Sequence, residues 1–500
     1  MLRNNLADRG RASKDVWFGG RLPCQPQVWV PLVLALAVTL RVHAVQRWTR
    51  SYGGPHDEIA FEVCETQDGG FAVAGRYGGV GPQHGNLIWL LKTDSFGDTM
   101  WTQVYGRRQD EYALTEALAQ TRDGGFLIPG TWESHGMESS GVFLIRTDSL
   151  GETLWTRPVP GLRGVPRDAK QTHDGGFIVT GRTAIDTLGY IYAIRCDSLG
   201  SILWVTYNHG VRSAWAYSVQ QTADCGFVIA GSTYVPGRGD WGYLLRLDSL
   251  GDTLWGRAFH VGGGLCYPYE VQVLPDGGFA VGGNVDIGGD GFACLIRTDS
   301  LGETLWTRRY AGTAHCTSLD LCSDGGFVLG GTCSSMTGCD VWILKTSASG
   351  DSQWARSLPN NYDEYANVVR QTRDGGYISA GAIFFSTSSN DFYLVKTDAN
   401  GFAAVQERAA QHVVDADEPR VVVRTASRVL CFLPSEGISS LGLFDIVGRR
   451  IATLENCRRE AGWHEVELKG KLQAGAYFAR LEAGRLQAVA KFVVPGARSD

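Results

Sequence analysis

Hydrophobic and polar positions alternate along this chain in short runs, and the runs recur in a fixed order. From Asp363 to Thr372 the sequence Asp-Glu-Tyr-Ala-Asn-Val-Val-Arg-Gln-Thr alternates as a half-buried strand does. Arg373-Asp374-Gly375-Gly376 follows and supplies residues that tolerate positive φ, as a tight hairpin demands. Tyr377 to Gly381 is small and apolar, which suits a buried return strand. A variable loop then leads to a third strand over Asp391 to Thr397. In most units Asp-Ser-Leu-Gly-Asp, or a close variant, turns the chain into a fourth strand such as Thr253-Leu254-Trp255-Gly256-Arg257. No helical period interrupts the series.

The unit repeats. Its first turn places an Asp at Asp68, Asp123, Asp174, Asp224, Asp276, Asp324 and Asp374, and a cation closes the third strand at Lys92, Arg146, Arg195, Arg246, Arg297, Lys345 and Lys396. Seven copies of a unit of about 50 residues fill residues 45–405, a period that means a propeller, solenoid or array. Two hairpin turns per unit make antiparallel meanders, whereas β-helix coils stack in parallel with much shorter repeats. The pattern therefore predicts an all-β, seven-bladed β-propeller. Its ends predict closure. Arg47-Trp48-Thr49-Arg50-Ser51-Tyr52 reads as a fourth strand with nothing before it, and the last copy lacks the Trp of its own fourth strand at Gly401 to Val405. Pairing the two would hide both exposed edges.

The region before the repeats reads as a targeting segment. Five cations in residues 1–27 precede an apolar run from Val28 to Leu40, and Val42-His43-Ala44 offers small residues at a cleavage point. That is the order of a secretory signal peptide over residues 1–44. Thirteen apolar residues containing Pro31 are too few to span ~30 Å of hydrocarbon as an anchor. Export permits disulfides. Of the 12 Cys, Cys24 leaves with the signal, and Cys333 and Cys339, flanking one short loop, form the expected pair. The net charge of −6 provides no basic field for nucleic acid.

Few residues offer chemistry. A cation and an Asp present in every copy point to blade construction, as an ion pair or a turn cap. The acidic turn Asp148 to Glu152 lacks the ligand ladder of a calcium loop. No GxSxG, HExxH, P-loop or nucleotide fingerprint occurs in a supporting context. The scattered histidines fall at different places in their units. No catalytic residue, cofactor site or metal site is therefore assigned. Asp148 to Trp155, with Gly151 between, resembles the tryptophan-docking repeat of quinoprotein dehydrogenases. The adjacent Cys pair of those enzymes is absent here, so the resemblance implies Trp packing between blades and not quinone catalysis. The most variable stretches join strands two and three, or four and one: Tyr77 to His84, Trp132 to Met137 and Tyr234 to Trp241. Aromatic and polar residues on loops at one face of a rigid ring suit a glycan or protein ligand.

Residues 406–420 are polar and acidic and read as a linker. Short alternating strands from Val421 to Val494 then predict a small immunoglobulin-like sandwich. Leu443 to Leu454, Ala461-Gly462-Trp463-His464, Ala474-Gly475-Ala476-Tyr477-Phe478 and the closing Lys491-Phe492-Val493-Val494 resemble, in that order, the C-terminal sorting domain of type IX (Por) secretion. The Asn-Pro-rich opening usual there is missing, and Pro495 to Asp500 runs past the usual end. The resemblance covers residues 421–500 and implies passage across the outer membrane, with the secretion machinery as partner. The expectation is a secreted or cell-surface binding or adhesion propeller. An extracellular polysaccharide-degrading enzyme with its site at the propeller mouth, or a purely structural surface component, is the alternative.

Overall fold

The computed structural model describes residues 47–494 except 55–56, 79–85, 107–110, 135–139, 186–187, 209–212, 311–313, 336–337, 360–361, 385–389, 404–419, 426–427, 434–435, 446–448, 461, 468–471, 474 and 485. The signal segment, nearly all of the linker, and the loop stretches 79–84 and 135–137 lie outside the described residues. Every named element is a strand. One repeat shows the plan: Gly164–Gln171, Phe177–Ile185, Leu188–Cys196 and Ile202–Asn208 pair in chain order as an antiparallel sheet. The other repeats follow it. In the second copy the first strand is broken into Glu111–Leu114 and Ala119–Gln120, both paired with Phe126–Ser134.

The last sheet settles closure. Asp363–Gln371, Tyr377–Phe384 and Asn390–Thr397 receive their fourth strand from Trp48–Tyr52, with Trp48 opposite Lys396 and Ser51 opposite Tyr393. Apolar side chains fill the space between neighbouring sheets. Ala72 and Leu90 of one meet Phe126 and Ile128 of the next, and Phe71 and Val73 of the first meet Ile378 and Leu394 of the last. Four-stranded meanders, packed face to face and returned on themselves, make the repeat region a β-propeller.

Tryptophan links each sheet to the next. The Trp48 ring lies edge-on to Phe71, 5.7 Å between centroids, and its Nε1 donates to the Ser95 carbonyl at 3.0 Å. Trp101–Phe126, Trp155–Phe177 and Trp204–Phe227 repeat the arrangement at 6.1, 6.3 and 5.8 Å. The Gly of the second turn is what lets the indole in: a Cβ at Gly97 would sit 2.9 Å from the Trp48 ring, and φ there is 80°. The Trp packing expected between blades is present.

One copy breaks the turn rule. Where the others have Gly after the first-turn Asp, the fourth has Cys225, held at φ 65° and exposed. A side chain in the left-handed region costs roughly 1–2 kcal/mol. Cys225→Gly should therefore raise the melting temperature, with a stability gain of about 1 kcal/mol in chemical denaturation. An unchanged midpoint would show that the turn carries no strain.

The structure corrects the disulfide expectation. Cys333 and Cys339 are both free thiols. Their strands pair with Cys333 opposite Asp340 and Ser334 opposite Cys339. A one-residue offset in register sends the two side chains to opposite faces of the sheet.

After the repeats come two more sheets. Arg420–Thr425, Arg428–Leu433 and Gly462–Glu467 form one, and Arg450–Arg459, Gly437–Asp445, Gly475–Ala483 and Leu486–Val494 form the other. Val429, Cys431, Leu433 and Val466 of the first share a core with Leu441, Leu443, Ala479 and Leu481 of the second.

Candidate functional site

The residues present in every copy build the blades. Each third-strand cation turns back onto the Asp of its own first turn: Lys92–Asp68 at 2.9 Å, Arg146–Asp123 and Arg195–Asp174 at 2.5 Å, Arg246–Asp224 at 2.6 Å, Lys345–Asp324 at 2.9 Å, Lys396–Asp374 at 3.0 Å, and Arg297 with Asp276. The cations are buried and the carboxylates mostly exposed. A hydroxyl from Thr172 at 2.6 Å, the Gly176 N–H and the Arg195 charge hold Asp174 below the usual carboxylate range. In the second turn, Asp148 Oδ1 accepts the Leu150 and Glu152 N–H groups at 2.9 and 2.8 Å, so this acidic turn caps its own backbone.

A second periodic device ties neighbouring sheets together. The backbone N–H of Arg122 donates to Gln171 Oε1 at 2.9 Å, that of His173 to Gln221 Oε1 at 2.7 Å, and that of Ser323 to Gln371 Oε1 at 2.7 Å. The series passes through the seam, where Arg373 N–H donates to Glu65 Oε2 at 2.8 Å. It lapses at Ala223 and Pro275, where the acceptor position of the next copy holds Val273 and Leu321, and Pro275 has no N–H to give.

What differs between copies faces the axis of the ring. Counting back four residues from each first-turn Asp gives Cys64, Ala119, Lys170, Gln220, Gln272, Asp320 and Arg370. Two places earlier the first strand carries a β-bulge in most copies, for example between Ala60 and Glu62, Pro166 and Asp168, and Pro268 and Glu270. Beyond these bulges a charged network crosses the axis. Arg370 reaches Glu270 at 2.7 Å and both oxygens of Glu62 at 3.1 and 3.2 Å. Lys170 pairs with Asp168 at 2.6 Å, and the other Asp168 oxygen accepts the Ser218 hydroxyl and the Val219 N–H. Glu270 also accepts the Leu319 N–H, and Asp320 those of Leu321 and Gln371.

Burial pushes Glu62 up to about 7 in spite of Arg370, and it raises Glu270 and Asp320 as well. Burial opposes the charge of Arg370, but Glu270 and Glu62 outweigh it and hold the guanidinium well above its ordinary value. Above the network, at the end of the ring that carries the Asp-Gly-Gly turns, lies a cavity of ≈ 640 Å³ lined by Glu62, Lys170, Gln220, Asp320 and Arg370 among others. Glu62 and Arg370 pair with each other, Lys170 pairs with Asp168, and Asp320 is held by backbone N–H groups.

The opposite end of the axis is aromatic. Tyr217 and Tyr269 occupy the same place in neighbouring copies, with ring centroids 4.8 Å apart. Two residues earlier stand Trp215 and Tyr267. The Arg182 guanidinium lies over Trp215, its Cζ 3.6 Å from the ring centroid, and the Tyr267 hydroxyl donates to Asp240 at 3.1 Å. Arg167 sits among these rings and pairs with Glu116. Burial, and the neighbouring Arg182 charge, hold Arg167 below the usual guanidinium value. Of the loop stretches singled out in the sequence, Tyr234 to Trp241 borders this end. Arg238 lies 5.5 Å from the Trp241 ring, which packs against His260 at 4.7 Å.

The loop reading thus found the rim of the aromatic end and missed its floor, because Arg182, Trp215, Tyr217 and Tyr269 lie on strands. A signal was available. Aligned on their turn Asp, only two copies put Tyr seven residues ahead of it, and they are adjacent.

No family model matches the chain, and no curated protein matches it. Solved structures do. A protein of unknown function from Bacteroides caccae aligns at 12% identity over 57% of this chain and 94% of its own, with a TM-score of 0.36. The β-propeller domain of the Trilobed protease from Pyrococcus furiosus aligns at 7% identity over 69% and 96%, TM-score 0.42. An α-L-arabinofuranosidase from Fusarium graminearum aligns at 10% identity over 58% and 93%, TM-score 0.39. At such values the likenesses carry no argument about blade number, ligand or activity. The assignment rests on the sheets and their closure: the chain is an all-β protein whose repeats form a β-propeller.

Proposed function

We propose that the chain is a secreted or cell-surface binding module. In this reading a seven-bladed propeller presents its ligand site at the loop end of the axis. The two C-terminal sheets are an immunoglobulin-like sandwich acting as a type IX sorting domain, as the motifs from Leu443 to Val494 imply. The observation that carries the binding role is the aromatic arc of Trp215, Tyr217 and Tyr269 with Arg182 across it. Planar faces and a cation concentrated on neighbouring copies, where the repeat itself requires nothing of the kind, suit recognition of a glycan or protein. The enzymatic reading has carboxyl groups from several copies converging at Glu62, Glu270 and Asp320. Arg370 and backbone N–H groups engage all three, which weighs against general acid–base work there.

The test is retention of the labelled mature chain on immobilised glycans, extracellular proteins and whole-cell envelopes. Retention on at least one surface is expected, with a loss of about tenfold or more in Trp215→Ala and Tyr269→Ala. Retention that ignores both substitutions, or none on any surface, would sink the proposal.

A further inference from the structure

Most cations in the body of the propeller are answered by an acid, and Arg182 is an informative exception. Every third-strand cation has its Asp, Arg370 has two Glu, and Lys170 has Asp168. Arg182 has no hydrogen bond or ion pair to any described residue, although it is held in place by Trp215. A guanidinium held over an indole by a cation–π contact still has its N–H donors to give to a carboxylate. Nearby Arg167 is answered by Glu116, and the other acid at this end, Asp240, accepts the Tyr267 hydroxyl. The arc therefore sets a guanidinium without an acid partner among the described residues beside half-buried aromatic rings.

The rings are fixed for use as surfaces. Tyr217 and Tyr269 pack against each other with their ring planes tilted by 58°, so each ring is braced by the other. The chain entering the arc is held in an unusual shape: Ser213, two residues before Trp215, has φ 51° in the left-handed region. Such strain persists where surrounding structure enforces it, and it gathers at binding sites.

We infer that this end of the ring binds an acidic glycan, with a uronate carboxylate on Arg182 and the C–H face of the sugar on the Tyr217–Tyr269 pair. A neutral sugar would use the faces and leave Arg182 unanswered. An acidic peptide would answer Arg182 and make poor use of the faces. A uronate satisfies both. The inference rests on the binding reading above and names the ligand class of the same site.

Isothermal titration of the full mature chain at low salt tests it, with tetragalacturonate, its methyl ester, cellotetraose and tetraglutamate as probes. Tetragalacturonate should bind about tenfold tighter than its methyl ester, an advantage that shrinks as salt is added. Arg182→Gln should erase that advantage and Tyr269→Ala should weaken both ligands, while thermal melts show each variant folded. Arg182→Lys, which keeps the charge but not the planar fork, should fall between. The inference is overturned if acid and ester bind alike, if Arg182→Gln changes nothing, if tetraglutamate matches the uronate, or if no saccharide binds. No saccharide binding together with continued retention on a protein or envelope surface would discard the ligand class and keep the binding module. Failure in both assays would discard both.

Discussion

Replacing Trp48 with alanine should lower the unfolding free energy by about 3–5 kcal/mol, and deleting Arg47 to Tyr52 should abolish cooperative melting of the ring. Trp48 is only 5% exposed, so its loss leaves a large cavity between the first and last sheets. Deletion does more. It strips the fourth strand from the last sheet and bares the edge Phe392 to Lys396, and an exposed edge pairs with whatever strand it meets. Aggregation during refolding should therefore rise along with the loss of stability. The control is Trp204→Ala, which removes the equivalent indole from a sheet whose strands all come from one stretch of chain. Differential scanning calorimetry on the mature protein decides the matter. If the deletion variant melts as sharply and as high as the parent, the seam is not what closes the ring.

Arg370→Met should be the most damaging single change near the axis, again by about 3–5 kcal/mol at neutral pH, because it leaves Glu62 and Glu270 buried without their cation. The loss should shrink on acidification, since protonated carboxyls no longer need the partner. The parent protein should itself respond to pH in a defined direction. Glu62 has its folded value raised to about 7 from an ordinary 4.5, so the folded form holds its proton more tightly than the unfolded form. Its contribution is complete below about 4.5 and disappears as pH rises through about 7. Glu58, raised by burial to about 8, and Asp391, raised to about 6, act in the same sense. The first-turn aspartates act oppositely. Asp123, Asp174 and Asp224 are held low, so their contribution exists above the usual carboxylate value and is lost as pH falls through the depressed one. The maximum of stability should lie in mildly acidic solution, and Glu62→Gln should flatten the decline between pH about 5 and 7. Thermal melts across pH would show it. A parent protein whose stability climbs steadily from pH about 5 to about 8 would contradict the assignment.

The parts of the fold legible in the sequence are those that repeat. A turn needing positive φ must show Gly, or an exception such as Cys225 that carries its strain visibly. An indole docking on the neighbouring turn must show Trp and Gly at a fixed separation. Copying these local requirements makes the architecture readable, and the unpaired Trp48 strand announces closure because its own sheet is missing from the chain before it. The cation–Asp pairs were legible for the same reason. Register was not: the two cysteines of the Cys333 loop are close in sequence and in space, yet a single-residue offset turns their sulfurs apart.

The sequence alone determined the repeated unit, its all-β character and the strand that closes it, because each copy solves the same local problem with the same residues. Tertiary structure decided which of the differing residues meet. Arg370 finds Glu270 in a non-adjacent copy and Glu62 across a separation of 308 positions, and Arg182 reaches Trp215 across the boundary between two sheets. Such meetings depend on how far the ring turns from one sheet to the next, and no local spacing in the chain records that angle.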